Sequence, residues 1–403
     1  MKKILMAGII ISALACAMSC QKDPDGPPAT SGEIPEGTVD LSADGTANCY
    51  IIAPNSVSAF NAEFKGNSSE LEIGDVASAE LVWQSSTGLV KDLYYAQAAK
   101  KIVVETSDAS GNALVAATDA AGNILWSWHL WITDYDPAET DFSTEPNSAG
   151  TVWTFMDRNL GALNTSAGDF DSFGMLYQWG RKDPFPGPTT FTVMNEDYSY
   201  AVDGEPTFYD FKNQPLPKFS ELAEYHGTIE KSIQNPDVFY ANTKKSTGEM
   251  DEYGDEIIVD DYITGDWVDV SDDDLWGGES LKKTIYDPCP VGYKVPVCDA
   301  EGNSPYEWLT YDKVTWGSNG CDYNGIWFPT TGTRVYASGG LDYTELSPYG
   351  GLWLGTKGQA SSNLEEYPTL YGQYMFIIDG KRMFKVNKDR RSQGMSVRCV
   401  RED

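Results

Sequence analysis

Between Val39 and about Tyr135, apolar and polar residues alternate in short runs: NCYIIA, ASAELVWQ, KKIVVETSD, NALVAATD and NILWSWHLWITDY. A period of two is the signature of strands with one face toward a core. The pentads DASGN (108–112) and DAAGN (119–123) separate consecutive runs at hairpin spacing, which predicts an antiparallel β-sandwich over 39–135. In the last run Trp126, Trp128, Leu130 and Ile132 share one face, whereas Leu125, Ser127, His129 and Trp131 share the other. Bulky residues on both faces predict a central strand, and His129 on such a strand reads as a packed, hydrogen-bonded residue.

The alternation stops at residues 136–150, DPAETDFSTEPNSAG, a polar linker. Shorter apolar blocks resume from 151 to 403, interrupted by a long insert at about 187–280. Within this part Ser304 and Glu307 have capping-box spacing and Pro305 falls at the first helical position. That pattern predicts a helix from about Pro305 to Val314 with Trp308 and Leu309 against a sheet. At the other end of the chain, an apolar run from Ile4 to about Ala17 follows Lys2 and Lys3. It is too short to span a bilayer and has the form of a signal peptide.

Ala17 and Ser19 lead into Cys20, so residues 1–20 resemble a bacterial lipoprotein signal whose cysteine is lipidated; Cys16 is a rival acceptor. The polar QKDPDG that follows resembles the acidic export tags of surface-exposed lipoproteins in the Bacteroides group. Residues 21–38, rich in Pro, Gly and Ser, then form a tether that reaches on the order of 50 Å when extended. The expectation is an outer-membrane protein, anchored by lipid and facing the exterior.

Composition narrows the function. With 403 residues, 41% of them hydrophobic and 12% aromatic, the chain can bury substantial cores. It carries 60 Asp plus Glu against 29 Lys plus Arg, a net charge of −31. Such a field repels phosphate backbones and anionic headgroups, so nucleic acid is not an expected partner, while neutral glycans, cations and basic partners are compatible. Only two histidines are present, which rules out a multi-histidine metal site and argues against Ser-His-Asp or Cys-His catalysis.

Past Thr151 the blocks read WTFMDRNLGALN, FGMLYQWGRKDPFPGP, YDPCPVGYKVP, NGIWFPTTGTRV, GGLWLGTK, QYMFIIDG and RRSQGMSVRCVRED. In this order they resemble the Fibrobacter succinogenes major paralogous domain, a C-type lectin-like fold of secreted and surface proteins in Bacteroidetes. Met156 to Leu160 resembles the family's opening strand, Gly174 to Trp179 its helix start, and Cys289 to Pro296 its Cys-Pro-x-Gly-Trp-x-x-Pro block, with Tyr293 in place of Trp. Gly351 to Thr356 stands where a Tyr-Trp-Ser-Ser-Thr strand is usual, with Gly355 in place of serine, and Gly394 to Val400 matches the closing Gly-x-Ser-Val-Arg-Cys-Val. The implied fold class is mostly β to α+β: a sandwich at 39–135 followed by a lectin-like domain at 151–403.

The resemblance also implies a disulfide between Cys289, held between Pro288 and Pro290, and Cys399 in the closing block. Outside the cell that is the ordinary use of such cysteines. Cys298 and Cys321 remain as a candidate second pair and Cys49 as a lone thiol, although four C-terminal cysteines allow three connectivities. Glu145-Pro146-Asn147 resembles the calcium tripeptide of mannose-type C-type lectins, but it lies ahead of the domain and reads as linker.

Residues 251–274 hold eleven acids and no base. Asp266, Asp269, Asp272, Asp273 and Asp274 are candidate calcium ligands, set against a solvated acidic face, because the run lacks the spacing of a calcium loop. Trp267, within the stretch, and Trp276, just past it, are candidate glycan-stacking residues, set against anchors of a long loop. The expected function is binding or adhesion to a glycan or cell-surface protein. Two alternatives are a structural or tip subunit of a fimbria-like assembly and an enzyme like the formylglycine-generating enzymes, which share the lectin-like fold.

Overall fold

The computed structural model describes residues 32–191, 205–225, 227–242, 245–250, 256–259, 265–343, 348–361, 369–378 and 382–402. The expected signal peptide, Cys20 and most of the expected tether lie outside these residues. From Gly32 onward the chain forms one compact unit, and it is mostly β.

Eight strands account for the alternating region: β1 (Val39–Asp40), β2 (Cys49–Ile52), β3 (Val57–Asn61), β4 (Ser78–Gln84), β5 (Val90–Ala96), β6 (Lys101–Thr106), β7 (Gly111–Thr118) and β8 (Ile124–Ile132). They form two four-stranded sheets, β1-β3-β6-β5 and β2-β8-β7-β4. The sandwich is not wholly antiparallel, since β1 runs parallel to β3 and β2 parallel to β8. Trp126, Trp128, Leu130 and Ile132 fill the space between the sheets with Phe60, Ile102, Val104 and Val115. The opposite face of β8 is also covered: Trp131, with Cys49 and Leu114, enters a second cluster that contains Met156, Tyr177, Trp179 and Trp353. β7 is buried along its whole length for the same reason. The predicted central strand is therefore central in two senses, within its sheet and between the sandwich and the rest of the chain.

Turn chemistry explains one hairpin. Asp119 Oδ1 accepts from the backbone N–H of Ala121 and of Asn123, while Asn123 Nδ2 donates to Asp119 Oδ2. Gly122 supplies the positive φ, 86°, that closes the loop. DAEGN at 299–303 repeats this arrangement bond for bond, with Gly302 at φ 83°. DASGN at 108–112 does not, because Gly111 and Asn112 already belong to β7.

The later blocks converge on the closing segment. Phe155 pairs with Val400, the Met156 N–H donates to the Cys399 carbonyl at 3.0 Å, and the Leu160 N–H to that of Val397 at 2.8 Å. Met175–Gln178 lies antiparallel to Gly394–Ser396, Tyr293–Lys294 pairs with Val400–Arg401, and Leu352 in the strand Tyr349–Ser361 pairs with Ser396. The Cys289–Cys399 disulfide is formed, with Cα atoms 6.0 Å apart. Asp287 holds the bend beside it by accepting from the Cys289 and Val295 N–H groups, each at 2.8 Å.

Several expectations require correction. Gly174 to Trp179 is not a helix start: Met175–Gln178 is a strand, hydrogen-bonded to Phe185–Pro186 on one side and to the closing segment on the other. No α-helix follows Ser304. The chain makes turns and a short 3-10 helix, Tyr311–Lys313: the Ser304 hydroxyl accepts the Tyr306 N–H at 3.2 Å, Glu307 accepts from Ser148, and Lys313 pairs with Glu145 at 2.6 Å. Trp308 and Leu309 are nonetheless buried. Cys298 and Cys321 form no disulfide. Both thiols enter one apolar cluster, and the Cys298 thiol contacts Gln373 Oε1 at 3.5 Å. The insert is no free appendage where it is described, since Phe208 and Phe219 pack edge-on against Trp83 of β4.

Candidate functional site

Two adjoining depressions, of about 750 Å³ and about 400 Å³, share Asp273 and Leu370. Their walls come from the insert (Thr228–Glu230, Val268–Asp273 and Glu279) and from the strands Tyr349–Ser361 and Thr369–Ile378. Thr228 caps the short helix Ile229–Gln234. Gly227 bridges Val268 in parallel, its N–H donating to the Trp267 carbonyl at 2.8 Å. This bridge brings two sequence-distant parts of the insert together as one wall.

The floor is charged and internally ordered. Arg391 is buried over the Trp179 ring, 4.2 Å from its centroid. It donates to Asp266 Oδ2 at 3.2 Å and to Asp273. Lys357 bridges Asp273 at 2.8 Å and Glu279 at 2.6 Å. Burial pushes the Asp273 carboxyl up, but the hydrogen bonds from Lys357 and Arg391 outweigh it and hold the group below its ordinary value. For Asp266, burial wins over Arg391 and the carboxyl is raised. Above this floor Glu230, Asp269 and Asp272 add negative charge to the wall, and Val270 stands 82% exposed. The result is an open groove, acidic with an apolar spot, suited to holding a ligand by surface contact.

The residues singled out in the sequence meet here in altered roles. Trp267 and Trp276 present no stacking face: both are buried, their indole N–H groups donating to the carbonyls of Trp179 at 2.7 Å and Tyr286 at 3.1 Å. They anchor the insert under the groove. Asp269, Asp272 and Asp273 line it, whereas Asp266 lies beneath it, paired with Arg391. Asp274 turns away to accept from the N–H groups of Glu279 and Ser280. Among the described residues no three acidic, His or Cys groups are placed to hold a metal, so the calcium set is not assembled. Glu145-Pro146-Asn147 is structural as read, since Glu145 pairs with Lys313 and Asn147 Nδ2 donates to Asp299 at 2.7 Å. Lys357, Glu279 and Arg391 were missed: Glu279 lies just past the acidic run, whereas Lys357 and Arg391 lie far from it in the sequence and only the tertiary fold brings them to it.

One reactive-looking group was also missed. Cys49 and His129 are register partners on β2 and β8, which places the thiol 3.5 Å from His129 Nδ1. Tyr177 Oη lies 3.3 Å from the same nitrogen, and Nε2 lies 2.9 Å from Asn112 Oδ1. Chemically this is a Cys-His-Asn set, but its residues are buried. Burial depresses the imidazole to about 3 and raises the thiol, so both are neutral and no thiolate–imidazolium pair forms. The set works as a hydrogen-bonded joint between the sandwich and the later residues. No family model, curated protein or solved structure matches the chain.

Proposed function

We propose that this chain is a lipid-anchored surface protein that acts as a binding module, recognising a glycan or partner surface through the groove around Asp273. The observation that carries the reading is a contrast in accessibility. The neutral Cys49 thiol and His129 imidazole are sealed in the interior, while the open surface carries a preformed groove whose floor is held by the Asp273–Lys357–Arg391 ion pairs. A binding surface needs order and access, and these are the properties the groove has. The convergence of the resembling blocks on residues 394–401 supports a C-type lectin-like reading of the later part of the chain. Folds of this kind host many functions, so the assignment rests on the groove. Lipidation at Cys20 supplies the anchor in this proposal.

The test is a screen of the mature protein against arrayed glycans and against cationic and neutral peptides, with Val270→Asp and Asp272→Lys as groove variants. Binding that survives in a surface variant such as Leu71→Ser and is lost in both groove variants supports the assignment. Binding unaffected by either groove variant moves the site elsewhere. Recovery of the protein from crosslinked cells only in high-mass ladders, with no array binding, favours a structural subunit.

A further inference from the structure

Beyond the groove, a cluster built around two buried side chains at the start of the closing segment has the parts of an acyl-transfer site. Thr333 and Gln393 are both buried, Thr333 almost completely. Gln393 Nε2 lies 2.8 Å from Thr333 Oγ1. The carbonyl of the same amide, Oε1, accepts the backbone N–H of Tyr336 at 2.8 Å. On its other side Thr333 Oγ1 lies 3.3 Å from Tyr349 Oη, which in turn donates to Asp342 Oδ2 at 2.6 Å. Strand pairing keeps these groups in place: Arg334 pairs with Gly394, and Thr333 with Asp342. A buried hydroxyl nucleophile, a partly buried proton relay ending in a carboxylate, and a buried amide whose carbonyl is polarised by an N–H donor thus share one location.

We propose that Thr333 and Gln393 form an intramolecular ester that ties the strand at Thr333 to the closing segment. Thr333 Oγ1 bonds to Gln393 Cδ as its proton passes to Tyr349 and the Tyr349 proton to Asp342. The tetrahedral intermediate, its oxyanion held by the Tyr336 N–H, collapses with cleavage of the Cδ–Nε2 bond. Tyr349, beside the reacting oxygen, gives a proton to the departing nitrogen and regains one from Asp342, and the nitrogen leaves as ammonia. Atoms balance with no oxidant or cofactor: one hydroxyl and one primary amide give one ester and one ammonia. A primary amide is a poor acyl donor, and the fold compensates by proximity, for which effective molarities of roughly 10⁵–10⁸ M are known in well-oriented intramolecular reactions. Loss of ammonia to the solvent draws the reaction forward, and burial of both partners keeps water from the product.

Mass spectrometry of the intact, disulfide-reduced chain reads the outcome directly. The expected mass falls short of the sequence mass by one ammonia, and the deficit is absent in Thr333→Val and in Gln393→Met. Tryptic digestion should yield the peptide 314–334 joined to the peptide 392–398, and hydroxylamine should separate them. Asp342→Asn should lower the crosslinked fraction measured at a fixed time after purification. Wild-type protein at its full sequence mass, with the two peptides recovered singly, overturns the proposal, and this result needs no variant to fold.

Discussion

At the level of single residues, the buried ionisable groups give the sharpest expectations. His129 has its imidazole depressed from 6.5 to about 3 by burial. Its contribution to stability is therefore complete above pH 6.5 and is lost as the pH falls toward 3, because the unfolded chain takes up a proton that the folded chain refuses. Compared with His129→Gln, wild-type protein should lose up to about 4–5 kcal/mol across that interval, measured by urea denaturation at several pH values. Asp287 acts oppositely. Burial, only partly countered by Lys283, raises it from 3.8 to about 6, so acidification from pH 6 toward 3.8 favours the folded state at this site. Cys49 should resist alkylation in the folded protein and react once denatured; modification under native conditions would show that the joint opens. Removing the Cys289–Cys399 bond, which closes 110 residues, should cost about 4–5 kcal/mol in the chain-entropy account. That value is read from the denaturation midpoint of Cys289→Ala with Cys399→Ala.

At the level of elements, the groove depends on segments that the insert alone cannot hold. Trp267 is the anchor of one wall, and Trp267→Ala should destabilise the protein by about 3–5 kcal/mol, as for other buried tryptophans, and abolish groove binding with it. Gly277 sits at φ 73°, and a Cβ there would lie 1.9 Å from the Lys282 carbonyl oxygen. Gly277→Ala should therefore lower Tm and displace Glu279 from Lys357, with weaker binding at the groove even where the core remains folded. The repeated pentads show how far local sequence reaches. DAAGN and DAEGN form the same side-chain-closed turn, since Asp and Asn find each other within five residues. DASGN is drawn into β7, where Asn112 donates to the Gly161 carbonyl at 2.9 Å and its Oδ1 meets His129. The capping-box pattern at Ser304 likewise starts no α-helix, and Glu307 meets Ser148, 159 positions away in the chain.

At the level of the whole molecule, the sandwich is only half of its own core. Cys49, Leu114 and Trp131 are buried by later residues, so a fragment covering 32–135 would expose an indole and a strip of strand surface to water. That fragment should bind hydrophobic dyes or aggregate, and the full chain should melt in a single transition seen alike by tryptophan fluorescence and circular dichroism. Two separated transitions would show that the shared cluster contributes little. The sequence by itself determined the strands of residues 39–135, the central place of β8 and the packed state of His129. The strands and β8 follow from local alternation, and the disulfide was legible only through its resemblance to a known closing block. Tertiary structure alone decided that Trp267 and Trp276 face inward, that the acids of the insert meet Lys357 and Arg391, and that Cys49 meets His129. An aromatic residue carries no local mark of whether its far side will meet water or another sheet, and a charge acquires its partner only when distant strands pair.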